Sequence, residues 1–172
     1  PAYTKATLKL YGLFVFFSAL VRPLPTLLVL PFNFHPVGAL ALFGGGRVRS
    51  WAVYVAPLAV MAVTDCFLWA IKGDMYSPLY VSQIAVYTSF VLYVLIGRWM
   101  ATNNNPLRLA TASLLGSFQF YVITNAFSWV ILPELYTRDL AGFLQSMAAG
   151  LPFYRPGDPI ARRAPGPGRR RA

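Results

Sequence analysis

Three polar side chains sit inside long apolar runs: Asp65, Gln83 and Asn125. A carboxylate or amide at membrane depth is costly, so each of these groups requires a partner, a ligand or a water-lined path. Asp65 stands six residues before Ile71, Asn125 seven before Leu132, and Gln83 four after Leu79. These three segment ends are expected on one side of the membrane. Helix rise then places the three groups in a common layer about 6 to 10 Å below that surface. Trp69 lies four residues from Asp65, and Tyr121 and Trp129 each lie four from Asn125, the spacing that shares a helix face. A polar floor with aromatic walls suits a small ligand. The same groups can also join helices through hydrogen bonds worth about 0.6 kcal/mol each.

His35 is the sole histidine, so neither a histidine-based triad nor a histidine metal cage can be built. A neutral imidazole is still a good axial ligand for one cofactor metal, such as the magnesium of a chlorophyll or an iron. A histidine before a proline also serves as a local cap. Cys66 stands alone, which removes any intramolecular disulfide or multi-cysteine metal site and leaves a small apolar residue. "GGGRVR" lacks the Lys-Ser/Thr end and the preceding strand of a phosphate loop, so its arginines read as membrane-surface residues. No paired His, Cys or carboxylate set occurs at a spacing suited to catalysis, and the chain is expected not to be an enzyme.

The elements that must position these groups follow from composition. Hydrophobic side chains make up 57% of the chain and charged ones 12%, against about 25% charged in soluble domains. An integral membrane protein is expected, all-α, with five to six membrane segments. Leu8 to Val21 forms the first span and stops at Arg22-Pro23-Leu24-Pro25, where proline removes backbone donors. Thr26 to Phe34 reads as an irregular loop over the protein. Val37 to Phe43 then forms a short helix that Gly44-Gly45-Gly46 is expected to end. Being too short for a hydrocarbon core about 30 Å thick, it must be surrounded by protein. Trp51 to Ile71, kinked at Pro57, Leu79 to Ile96, and Leu107 to Leu132 are each long enough to span, and Leu140 to Tyr154 is marginal. The chain is thus a bundle over residues 1–154 followed by a basic tail over 155–172, too rich in Pro, Gly and Arg to fold alone. Pro1-Ala2 is either a processed end or simply the point at which the sequence begins.

Charge orients the bundle. With six crossings, one face holds Lys5, Lys9, Arg47, Arg49, Arg98, Arg108 and the six tail arginines, and the other holds Arg22, Lys72 and Arg138. The positive-inside rule places the richer face and both termini on the cytoplasmic, matrix or stromal side. A net charge of +10 therefore does not point to nucleic acid, since no stripe of interleaved aromatic and basic residues accompanies it.

The stretches "NFHPVGALALFGGG", "APLAVMAVTD", "YTSFVLYVLIGR" and "LATASLLGSFQFYVITNAFSW", with "LYTRDLAGFLQSMAAGLPFYR", together resemble a family of small polytopic membrane proteins. That family is similar to the substrate-binding S-components of energy-coupling-factor vitamin transporters. The resemblance runs from Leu8 to Arg155 and lacks the family's last helix, because "YRPGD" continues into "PIARRAPGPGRRRA". It implies a helical bundle that could hold a vitamin-sized molecule. The preferred expectation is a non-enzymatic accessory subunit of a larger membrane complex, most concretely a photosynthetic, photosystem-type supercomplex of a plastid thylakoid membrane. Chlorophyll and carotenoid would then lie outside the bundle near Phe16, Phe17, Trp99 and Phe120. Arg162, Arg163, Arg169, Arg170 and Arg171 would bind neighbouring subunits or lipid. The alternative is an S-component-like transport protein of a bacterial inner membrane.

Overall fold

The computed structural model of the protein describes residues 5–28, 36–73, 77–101 and 105–151. His35 and all the tail arginines lie outside them. Among the described residues seven helices follow one another: α1 (Lys5–Val21), α2 (Leu24–Leu27), α3 (Val37–Arg47), α4 (Ala52–Lys72), α5 (Gln83–Met100), α6 (Pro106–Ile131) and α7 (Leu140–Ala149). Four stretches, Lys5–Leu27, Ala52–Lys72, Gln83–Met100 and Pro106–Ile131, are long and apolar enough to cross a membrane. The protein is an integral membrane helical bundle, and α3 and α7 are shorter helices.

Local chemistry sets the boundaries. Arg22 N–H still bonds to Ser18 O at 3.1 Å, closing the last turn of α1 before Pro23 and Pro25 limit the chain to the single turn of α2. α4 runs unbroken through the buried Pro57 and ends at Gly73, whose φ of 92° is a conformation that glycine adopts without strain. Asn105 Oδ1 accepts from the backbone N–H of Leu107 at 2.9 Å and starts α6. Asp139 caps α7 by accepting from Gly142 N–H at 2.7 Å.

The chain divides into two compact units, Pro1–Phe120 and Tyr121–Ala172. In the first, α3 packs against α1, α4 and α5. Its Val37, Leu40 and Ala41 are fully buried and form the core with Val53, Val60, Phe90, Tyr93 and Val94. The expectation of a short helix surrounded by protein is met. Its expected end at the triple glycine is not, because α3 continues through Gly44, Gly45 and Gly46 to Arg47. The reason is packing. A Cβ on Gly45 would strike the Val94 carbonyl, and one on Gly97 would strike the Leu42 carbonyl, so α3 and α5 meet backbone to backbone. Gly44 likewise leaves room for the ring of Tyr11. Glycine here serves close approach, as small residues do in membrane helix pairs.

α5 begins at Gln83, later than the expected Leu79, since residues 77–82 form turns. α6 rests on α5 through Gly116, which faces the Tyr93 ring, through Gln119 Nε2 donating to Ser89 O at 3.2 Å, and through Phe120. Phe120 packs in tilted ring contacts with Phe90 and Tyr93 at centroid distances of 5.9 and 6.3 Å. It is therefore a partly buried core residue and not the exterior ring expected from sequence. In the second unit, Tyr121 O–H donates to Met147 O, and Gly150 lies against the Asn125 amide.

Candidate functional site

α1 and α4 bring an ion pair into the first unit. Arg22 follows the last residue of α1, and its Nη2 donates to Asp65 Oδ1 at 2.5 Å. Asp65 is 2% exposed and Arg22 9%. Buried charges persist only when paired and hydrogen-bonded, and the pair meets both conditions. Gln83 Nε2, from the first turn of α5, donates to Asp65 Oδ2 at 3.0 Å. Arg22 Nη1 donates to Thr64 Oγ1 at 2.6 Å, and that hydroxyl in turn donates to Val60 O, also at 2.6 Å. Three helices are thus tied at one point, and both carboxylate oxygens are engaged.

The cluster carries one positive and one negative charge and is neutral overall. Three buried polar atoms around it have no hydrogen-bond partner: Ser18 Oγ, Arg22 Nε and Gln83 Oε1. Ser18 is fully buried one turn before Arg22. The hydroxyls of Thr64, Thr88, Ser89, Thr111 and Ser113 bond back to carbonyls of their own helices; that of Ser18 does not. These atoms offer one hydroxyl, one donor and one acceptor to a water or a small polar group.

Of the residues expected to form a polar layer, Asp65 and Gln83 are brought together by direct contact. Asn125 belongs to the second unit, where its Nδ2 donates to Tyr121 O at 2.7 Å. Trp129 is in the same unit, with Nε1 donating to Thr137 O at 2.8 Å and its ring edge-on to Phe143 at 5.6 Å. Trp69, one turn beyond Asp65, is 43% exposed. Sequence reasoning did not anticipate Arg22 as a partner of Asp65 and places it only among the basic residues of the less basic face. One signal pointed to it. A buried carboxylate requires a counter-charge, and the side of the membrane assigned to Asp65 offers only Arg22, Lys72 and Arg138.

No group of three or more His, Cys, Asp or Glu side chains that could hold a metal ion occurs among the described residues. His35, the candidate axial ligand, lies outside them.

Neither the curated proteins nor the solved structures contain a match to this chain. Residues 3–159 match a family described as a family of unknown function (DUF6580), and over this span, which takes in both the ion pair and the glycine contact, the chain belongs to that family.

Proposed function

We propose that the protein is a non-enzymatic accessory subunit of a larger membrane complex, holding its place through its outer surface. The observation that carries this reading is the full engagement of the buried carboxylate. Asp65 spends both oxygens on Arg22 and Gln83, so the group best suited to grip a substrate joins helices instead. The exterior is rich in large apolar side chains. Only 6% of the most apolar window of α6 is buried, against 33% for α4 and α5, which leaves α6 the span with most surface to offer lipid or another subunit. The finer proposal, a pigment-bearing photosynthetic complex, draws support from the exposed aromatic rings Phe16, Phe17 and Trp99, where chlorophyll or carotenoid could pack.

The test is purification of the full chain from its native membrane in mild detergent, followed by mass spectrometry of co-migrating chains and absorption spectroscopy. Stoichiometric co-migration with other membrane proteins is the expected result, and pigment absorbance would support the finer proposal. Isolation of the chain alone, at every detergent strength that preserves other complexes, would overturn the subunit reading.

A second reading, an S-component-like binder of a small molecule, is favoured by the unpartnered Ser18 Oγ, Arg22 Nε and Gln83 Oε1. A vitamin-sized molecule released on denaturing the purified chain, and lost in Ser18→Val with Gln83→Leu, would establish it over the first.

A further inference from the structure

The first unit has two unlike ends. Contacts between helices fix which residues share an end: Gly44 meets Tyr11, Gly46 meets Met100, the Arg98 guanidinium lies over the Tyr54 ring and that of Arg108 over the Trp99 ring. The start of α1, the end of α3, the start of α4, the end of α5 and the start of α6 therefore lie together. Lys5, Lys9, Arg47, Arg98 and Arg108 belong to these helix ends, and Arg49 to the connection between α3 and α4. The one described carboxylate of this unit, Asp65, is bound to Arg22 at the opposite end of α1 and α4. Among the described residues, none of the six cations is in an ion pair.

We infer that this end of the bundle binds the phosphate headgroups of anionic phospholipids, with Arg98 and Arg108 as its fixed centre. Two features set these arginines apart from a diffuse positive surface. Each guanidinium carbon lies over an aromatic ring, 4.9 Å from the Tyr54 centroid and 4.4 Å from that of Trp99. The ring restrains the guanidinium by a cation–π contact that uses none of its N–H groups, and a planar guanidinium can meet phosphate oxygens side by side. In addition, Arg108 Nε is buried without a hydrogen-bond partner. An unmade bond to a buried donor is costly, and a headgroup oxygen supplies the acceptor. Trp51 and Trp99, 74% and 45% exposed, mark the headgroup depth at which tryptophan concentrates. Arg47 and Arg49 are exposed on the same end, and they extend the field over more than one headgroup. This inference does not depend on the subunit reading.

The experiment reconstitutes the full chain in nanodiscs of equal phosphatidylcholine and phosphatidylglycerol, then counts the lipids retained on release into the gas phase by native mass spectrometry. Enrichment of phosphatidylglycerol over its bulk share is expected. One basic residue near an anionic surface is worth about a factor of five in binding. R98Q/R108Q should therefore lower the ratio of retained phosphatidylglycerol to retained phosphatidylcholine by at least that factor, and K72Q, at the other end of α4, should leave it unchanged. If R98Q/R108Q does not fold, R47Q/R49Q, outside the aromatic stacks, must show a loss of the same sign. Retention of both lipids in bulk proportion by the unaltered chain would overturn the inference. An equal loss in K72Q would do so too.

Discussion

Replacing Asp65 by alanine leaves the Arg22 guanidinium, 9% exposed, without its counter-charge, and leaves Gln83 Nε2 without its acceptor. Breaking a buried pair by removing one partner costs about 3 to 5 kcal/mol. The amide adds little, since hydrogen bonds between membrane helices average about 0.6 kcal/mol. Arg22 lies at the end of α1, so its long side chain can swing toward the surface once released, which holds the total to the lower part of that range. Against a typical total stability of about 5 to 15 kcal/mol, this is a large share. The double replacement R22M/D65L removes both charges and leaves none buried. Replacing a buried pair by apolar residues is often neutral or stabilising, so the double variant should be more stable than D65A by about 2 kcal/mol or more. The assay is reversible unfolding in mixed micelles followed by tryptophan fluorescence, comparing D65A, R22M, D65L and the double variant in one cycle. If the double variant loses the sum of its single losses, the pair is not coupled and the account of the interior as a closed ionic clasp is wrong.

The glycine contact gives a second expectation: G45A and G97A should each cost about 1 to 3 kcal/mol by forcing α3 and α5 apart, measured by the same unfolding assay. G12A, with open space around its Cβ, should be stabilising by up to about 1 kcal/mol, because alanine favours helix. Asp139 has its carboxyl pKa held below the ordinary value by the Gly142 N–H, then by the Thr137 hydroxyl. Its contribution to α7 is therefore fully present above the usual carboxylate range near pH 4 and disappears as pH falls through the lower folded value. Hydrogen exchange in the first turn of α7 should accelerate across that window, and D139A should abolish the pH dependence. Truncation after Tyr154 should leave the bundle folded but weaken its retention in a membrane complex, more so at high salt, where exposed ion pairs are screened. Co-purification that does not change with truncation or salt would rule out the tail as a docking element.

Span existence was readable because length and apolarity alone decide it: α1, α4 and α6 begin and end within three residues of the positions expected from sequence. The enclosure of α3 was readable for the same reason, since an apolar segment too short to span has nowhere else to go. Its C-terminal end was not. Three glycines can end a helix or admit a neighbour, and only the presence of Gly97 and Val94 on α5 decides between them. Helix rise sets a side chain's height along its own helix, but the angle around each axis and the helix opposite determine contact: Asp65 and Gln83 meet directly, and Asn125 finds its partner in Tyr121 of its own helix. Arg22 was hidden by its position beside two prolines, where a cation reads as a loop residue, although charge balance required one.

The backbone contact between α3 and α5 also governs the order in which the protein can be made. α3 has 11 residues, about 16 Å of helix by its rise, and cannot be inserted on its own apolarity as a segment of about 20 residues can. The partner that fills its glycine face ends at Met100, 53 residues after Arg47 by subtraction of the two helix ends. At a synthesis rate of about 5 to 20 residues per second, α5 is complete only about 3 to 10 s after α3 leaves the ribosome. Throughout that interval Leu40, Ala41 and Gly45 face whatever surrounds the nascent chain. Seating α3 is thus a late event of biogenesis. The time that α3 waits for α5 is set by the order of the chain, independently of how stable the finished bundle becomes.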